Sequence, residues 1–306
     1  MAAERTPSND PFSAGCAFID GEYVPIGEAR IPILDWGFTR SDVTYDVVSV
    51  WKGNFFRLED HLNRFEASAA AMHLTLPHSR EAMREVLQEC VRMSGLKEAY
   101  VEMGLSRGVP PPGSRDPRTC VNRFFAYAIP FVWIATEEQR KRGLHLIISS
   151  VRRIPPESVD PKAKNFHWGD LTRGLFEAYE RGGETAVLVD GAGHVTEGPG
   201  FNVFVVKDGR VATPAEGVLE GITRMTVMEL VQQAELPLET RPVKETELLG
   251  ADEVFLSSTA GGVLPVTRVD DQVLGEGSPG PITQRLRDMY WENKEAGWHA
   301  TPVRYE

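Results

Sequence analysis

Cysteine is scarce in this chain of 306 residues: there are three, Cys16, Cys90 and Cys120, set far apart. An odd, sparse count without metal-ligand spacing excludes a disulfide scaffold and a zinc module, and it makes a reducing cytoplasm the expected setting. Positive charge is in deficit as well. Lys and Arg number 33 against 44 Asp and Glu, a net charge of −11, which leaves no broad footprint for a nucleic-acid backbone. No apolar run reaches the ~18 residues of a membrane span, so no membrane partner is expected. The first fifteen residues are polar and proline-bearing, without the apolar core of a signal peptide. Internal repeats and low-complexity tracts are absent too. What is there is ordinary in bulk: 42% hydrophobic and 25% charged residues suit a globular protein long enough for two domains with substantial cores.

Local patterns divide the chain. Residues 1–15 are expected to form a mobile tail. Asp20-Gly21 lies between two short apolar runs, and Lys52-Gly53-Asn54 lies between Val47–Trp51 and Phe55–Leu58; both are hairpin signals. Leu62, Phe65, Ala69 and Met72 follow helical spacing, which leaves Arg64 at the edge of the buried stripe. Ser79 is a good N-cap for a second helix that buries Met83, Val86, Leu87, Cys90 and Val91 before Gly95. With strands at 99–106 and 123–134, an α+β first domain is expected over 16–135. Gly108 to Pro117 carries four prolines and two glycines and is expected as a long loop, either a lid or a surface insertion. The charged, apolar-poor run 136–143 is placed as the linker.

The second domain, 144–306, opens on the strand Leu144–Val151. A helix from Asp170 is expected to turn Leu171, Leu175, Phe176 and Tyr179 inward. Thr185–Val189 and Asn202–Val206 are expected as antiparallel strands. A helix from Thr223 is expected to bury Met225, Val227, Met228 and Leu230, and Pro281–Asn293 forms the last helix, with proline tolerated in its first turn.

Four segments carry the chemistry. Asp160-Pro161-Lys162-Ala163-Lys164-Asn165-Phe166-His167-Trp168-Gly169-Asp170 sets lysine beside two aromatic rings. A desolvated lysine has a lowered pKa and serves as nucleophile or proton shuttle in Schiff-base chemistry. Composition alone does not separate Lys164 from Lys162. His194-Val195-Thr196-Glu197-Gly198 is a turn with a carboxylate at its edge. Gly217-Val218-Leu219-Glu220-Gly221-Ile222-Thr223-Arg224 is a glycine-bearing loop entering a helix, whose backbone N–H groups suit a phosphate. Glu253–Gly262 is a strand that ends in hydroxyls and paired glycines.

In this order, and with His61-Leu62-Asn63-Arg64 upstream, the segments resemble the fold-type IV pyridoxal 5′-phosphate (PLP) enzymes, over nearly the whole chain from about Phe18 onward. The resemblance implies an α/β, specifically α+β, two-domain fold: a smaller N-terminal α+β domain and a larger, barrel-like C-terminal domain with helices. It implies that Lys164 holds PLP as a Schiff base and moves protons, that Glu197 faces the pyridine nitrogen, and that Arg64, Ile222, Thr223 and Thr259 bind the phosphate. His61 and His167 are then packing residues. Asp35-Trp36-Gly37-Phe38, Ser41–Val47 and Lys164–Asp170 resemble most closely the (R)-selective amine transaminases. Branched-chain aminotransferases usually carry tyrosine five residues after the lysine, where this chain has Gly169. By the same resemblance Trp36, Tyr45, Val47, Trp168, Thr259 and Ala260 line the substrate pocket.

Two departures concern the substrate. Arg40 stands where fungal-type members have histidine, and proline falls at the place of their mobile arginine in the loop 107–115, so Arg40 and Arg115 are the two candidates for a carboxylate clamp. The implied activity is a homodimeric cytoplasmic transaminase moving an amino group from a primary (R)-amine or D-amino acid to a keto acid such as pyruvate. Branched-chain or D-amino-acid aminotransferases and aminodeoxychorismate lyases share the fold and are the alternatives; a scaffold protein without activity is the remaining one.

Overall fold

The structure, a computed structural model, describes residues 13–306; most of the tail placed at 1–15 lies outside the described residues. Contacts divide the chain into two units, one of residues 1–132, 163–166 and 297–306, the other of 133–162 and 167–296.

The first unit is built on β1 (Cys16–Ile19), β2 (Glu22–Pro25), β3 (Val43–Trp51), β4 (Asn54–Phe56), β5 (Ala99–Ser106) and β6 (Arg123–Pro130), with α1 (Trp36–Arg40), α2 (Leu58–Ala71) and α3 (Arg80–Ser94). Both expected hairpins form. Each closes over two residues in the left-handed region, Asp20-Gly21 and Lys52-Gly53, the backbone that a tight two-residue hairpin loop demands. Helix α3 starts where Ser79 caps Ala82 N–H and ends at Gly95 in the left-handed conformation. The sheet runs Ala300–Pro302, β4, β3, β5, β6, β1, β2; residues 297–306, assigned from sequence to the second domain, thus add a strand to the first sheet. One face packs Val48, Val50, Val101 and Met103 against Leu62 and Phe65 of α2 and Met83 and Leu87 of α3. The other face carries Tyr45 and Val47 of β3, Tyr100 and Glu102 of β5 and Tyr127 of β6, aligned by the register Val47↔Glu102↔Tyr127. Beyond the β4 hairpin, β3 has an open edge, and residues 163–166 occupy it through the bridge Thr44↔Asn165.

The second unit contains α4 (Glu137–Arg142), β7 (Leu144–Arg152), α5 (Gly169–Glu180), β8 (Thr185–Val189), β9 (Glu197–Gly198), β10 (Phe201–Lys207), β11 (Arg210–Pro214), α6 (Ile222–Gln233), β12 (Leu238–Arg241), α7 (Glu245–Leu249), β13 (Glu253–Ser258), β14 (Gly262–Val269), β15 (Gln272–Val273) and α8 (Pro281–Glu295). Its nine-stranded sheet runs β12, β11, β10, β13, β14, β7, β8, with β9 beside β10 and β15 beside β14. The run 136–143, read as a linker, carries α4, started by a Thr136–Gln139 capping box.

Three further expectations are corrected. Strand β8 lies parallel to β7 and is not bonded to β10, whose antiparallel neighbours are β9, β11 and β13. In α5, Phe176 and Tyr179 are exposed, and Leu171, Gly174 and Ala178 turn inward; a Cβ on Gly174 would come within 2.7 Å of Leu188 Cδ1, so close packing on β8 selects small residues there. In α6, Met225 and Met228 are only half-buried, and Thr223, Arg224, Thr226 and Val231 join Val227 and Leu230 inside. Among the described residues no helix is long and apolar enough to cross a membrane.

Candidate active site

In the first unit the site begins at the open edge of β3. Lys164 C=O accepts from Tyr45 N–H at 3.2 Å and from Thr44 Oγ1 at 2.8 Å, and Lys164 N–H donates to Ser68 Oγ at 3.1 Å. With its backbone held at three points, the lysine side chain reaches back over the sheet, and Nζ lies 4.1 Å from the centroid of the Tyr45 ring. Phe166 packs against the same ring at 4.7 Å. Lys162 is placed differently: it is solvent-exposed and pairs with Glu220 at 2.9 Å.

Arg64 sits at the edge of the α2 stripe, as its spacing predicts. Its Nε and one Nη each bond the Asp46 carboxylate at 2.8 Å, and His61 Nδ1 lies 2.7 Å from Asp46 Oδ1. Burial pushes Asp46 upward, but the charge and hydrogen bonds of Arg64, with His61, outweigh it and hold the carboxyl far below its ordinary value. Burial lowers the His61 pKa, so the ring is neutral at pH 7, and its proton sits on Nδ1, the nitrogen facing an ionised acceptor. His61 therefore packs and donates beside Arg64. Asp46 carried no role in the sequence reading; the signal was a carboxylate inside the apolar run Tyr-Asp-Val-Val.

Glu102 was also missed. It is 7% exposed and shares a face with Tyr45. Tyr100 Oη donates to its Oε2 at 3.3 Å, and Tyr127 donates to it as well. Burial raises the Glu102 carboxyl to about 7, against the opposing hydrogen bonds and the charge of Lys164. Val47 and Trp36 are buried. The Arg40 guanidinium stacks on Trp36, 3.4 Å from the ring centroid, and Arg115 is exposed on the proline-rich loop.

In the second unit Glu197 is 7% exposed. Its Oε1 accepts from Arg153 at 3.0 Å, and its Oε2 accepts from Leu219 N–H at 2.9 Å. Arg153, absent from the sequence reading, also donates to Asp170 at 2.7 Å. Although burial pulls the other way, the two carboxylates hold the guanidinium further above its ordinary range. Trp168 is half-buried at the N-terminus of α5 and His167 beside it is half-buried. Helix α6 opens at Gly221 with no side-chain cap, which leaves the first-turn amides of Ile222 and Thr223 to be satisfied from outside the helix. Thr259 and Ala260 occupy the half-buried turn after β13.

A phosphorylated pyridine aldehyde needs an amine, a carboxylate for the ring nitrogen and an anion cradle. The chain supplies a backbone-anchored lysine over an aromatic ring, a buried carboxylate fixed on both oxygens, and an uncapped helix N-terminus of the kind that binds phosphate. These residues fit such a group.

Comparison with known proteins agrees. The family model for class IV amino-transferases matches residues 44–269. The putative branched-chain-amino-acid aminotransferase of Methanocaldococcus jannaschii is 30% identical over 276 residues, covering 89% of this chain and 94% of that one. The D-alanine aminotransferase of Bacillus licheniformis is 30% identical over 270 residues, covering 88% and 93%. The crystal structure of the branched-chain amino acid aminotransferase from Thermobaculum terrenum, in its PLP-bound holo form, superposes with a TM-score of 0.86 at 26% identity, over 96% of this chain and 99% of that one. The chain thus belongs to the class IV aminotransferases, fold-type IV enzymes whose cofactor is pyridoxal 5′-phosphate.

Proposed function

We propose that this transaminase takes its amino group from a primary (R)-amine and delivers it to a keto acid such as pyruvate. One observation carries the amine reading: the buried acid Glu102 stands on the same sheet face as Tyr45 and the lysine amine. An amino-acid donor would need its carboxylate turned away from that buried acid, toward Arg40 or Arg115, as the keto-acid acceptor does. A donor bearing an aryl or alkyl group brings no carboxylate. Of the two cations that could meet a carboxylate, Arg40 is stacked on Trp36 and Arg115 is exposed. The handedness rests on the resemblance of Ser41–Val47 and Lys164–Asp170 to the (R)-selective branch.

Lys164 is the residue that would hold the cofactor covalently; once displaced by the donor's amine, its freed Nζ would take the proton from the donor's α-carbon and return it during transfer. Bound there, pyridoxal 5′-phosphate supplies a ring that accepts the electron pair of the broken C–H bond. Glu197, braced by Arg153, would hold a proton at the pyridine nitrogen. The amides of Ile222 and Thr223, together with Thr259 and Arg64, would bind the phosphate. Tyr45, Val47, Trp168 and Ala260 would wall the substrate pocket, and Arg40 and Arg115 are the cations that an acceptor's carboxylate would meet.

A second reading, an aminotransferase for branched-chain or D-amino acids, draws support from the names of the relatives. Turnover with 2-oxobutanoate as acceptor separates the two. The amine reading predicts that (R)-1-phenylethylamine outruns L-leucine and D-alanine as donor; faster use of either amino acid would move the enzyme to the second reading.

We further propose a homodimer working in the cytoplasm. Ile33, Leu34 and Phe38 are large, apolar and exposed around α1, a patch of the kind that a second subunit covers. Sedimentation should give twice the 34.0 kDa chain mass; a monomer at micromolar concentration would refute the dimer.

A further inference from the structure

The end of β13 holds a hydroxyl that the roles above leave unused. Ser257 is 2% exposed, and its buried Oγ has no hydrogen-bond partner among the described residues. Such a group is unfavourable unless something outside the chain completes it.

Its position says what that is. Ser257 lies directly opposite Asn202 of β10 in an antiparallel pair, so the two side chains share one face of the sheet. Asn202 Nδ2 donates to Leu219 C=O at 2.9 Å, and a Cβ built on Gly221 would collide with Asn202 Oδ1. This face therefore runs up against the uncapped N-terminus of α6. Further down the same face of β13, Glu253 accepts from Ile282 N–H at 3.0 Å and Thr283 N–H at 2.7 Å, completing the N-terminus of α8. Beside α6 the corresponding position offers a small donor rather than a carboxylate, which leaves room for an anion held jointly by the hydroxyl and the first-turn amides.

We infer that Ser257 Oγ donates a hydrogen bond to the cofactor's phosphate, as a binding residue additional to Ile222, Thr223, Thr259 and Arg64. The inference rests on the reading that the α6 amides hold that phosphate.

The test uses the full chain, stripped of cofactor and titrated with pyridoxal 5′-phosphate and, separately, with inorganic phosphate, reading thermal unfolding and equilibrium dialysis. Ser258→Ala is the control, because Ser258 Oγ already donates to Gly200 C=O at 2.8 Å and its removal should lower the melting temperature with or without ligand. Ser257→Ala should match or exceed wild type in melting temperature without ligand, since it deletes an unsatisfied group, and should fall below it once cofactor is bound. Its dissociation constants for cofactor and for inorganic phosphate should both rise about 10–100-fold, the loss of one hydrogen bond to a charged group. Equal affinities, a ligand-free loss like that of Ser258→Ala, or weakening toward the cofactor but not toward phosphate would each overturn the assignment. If neither ligand stabilises wild type, the phosphate reading of α6 itself fails, an outcome distinct from wild-type stabilisation that Ser257→Ala merely preserves.

Discussion

Arg153 and Glu197 form a buried pair with the guanidinium nitrogen 3.0 Å from Oε1, and the pair decides how the carboxylate can face a ligand. With Leu219 N–H on the other oxygen, Glu197 cannot rotate without breaking a charge-assisted bond. Arg153 also serves Asp170, whose Oδ2 accepts from Ile154 N–H at 2.8 Å, so one guanidinium ties the β9 turn to the start of α5.

Arg153→Met should accordingly be among the more damaging substitutions in the second unit. It leaves two buried carboxylates without their cation, a change that costs ~3–5 kcal/mol in comparable buried pairs. Urea unfolding of the ligand-free protein should show a loss of that order, with Arg153→Lys recovering part of it. A loss below about 1 kcal/mol would mean that the pair contributes little.

Glu102 gives a pH dependence with a definite sign. Its carboxyl is raised from 4.5 to about 7 in the folded chain, so between those values the folded state holds a proton that the unfolded state has released. Stability from this group is complete below pH 4.5 and is lost as pH rises through about 7. Relative to Glu102→Gln, wild type should lose stability steadily across that window and run parallel to the variant above it. Denaturant midpoints at pH 4.5, 6 and 8 measure the difference; a gap that stays constant with pH would show that Glu102 is not shifted.

Arg64 tests the binding roles separately from the chemistry. It is held by Asp46 through two bonds of 2.8 Å, so its position is fixed before any ligand arrives. Arg64→Ala should raise the cofactor's dissociation constant ~10–100-fold, the worth of one hydrogen bond to a charged group, while turnover at saturating cofactor changes far less. Undiminished cofactor retention after dialysis would remove Arg64 from the phosphate ligands.

Much of this fold is legible locally. Asp20-Gly21 and Lys52-Gly53 announce their hairpins because left-handed backbone has few residue solutions, and Ser79 and Gly95 bracket α3 because caps are local too. Lys164, Glu197 and Thr223 stand out because each sits in a short segment with its own chemistry. The remainder depends on partners distant in sequence. Phe176 and Tyr179 look like an inner stripe until β7 and β8 approach so closely that only Gly174 and Ala178 fit between. Strand β8 is parallel to β7 because α5 crosses over between them, which alternation of apolar residues does not encode. Glu102 and Arg153 belong to no local motif, and Ser41–Val47 gives Asp46 no role by itself; their roles arise from cross-strand register and from side chains 18, 25 and 44 residues away.

The most direct measurement is the visible spectrum of the pyridoxal 5′-phosphate-loaded protein during separate additions of (R)-1-phenylethylamine, (S)-1-phenylethylamine and L-leucine, without acceptor, with Lys164→Ala alongside. The account predicts that the (R)-amine alone bleaches the cofactor's visible band in wild type and that no donor supports turnover in the variant. Bleaching by L-leucine and not by the (R)-amine, or normal turnover in Lys164→Ala, would contradict it.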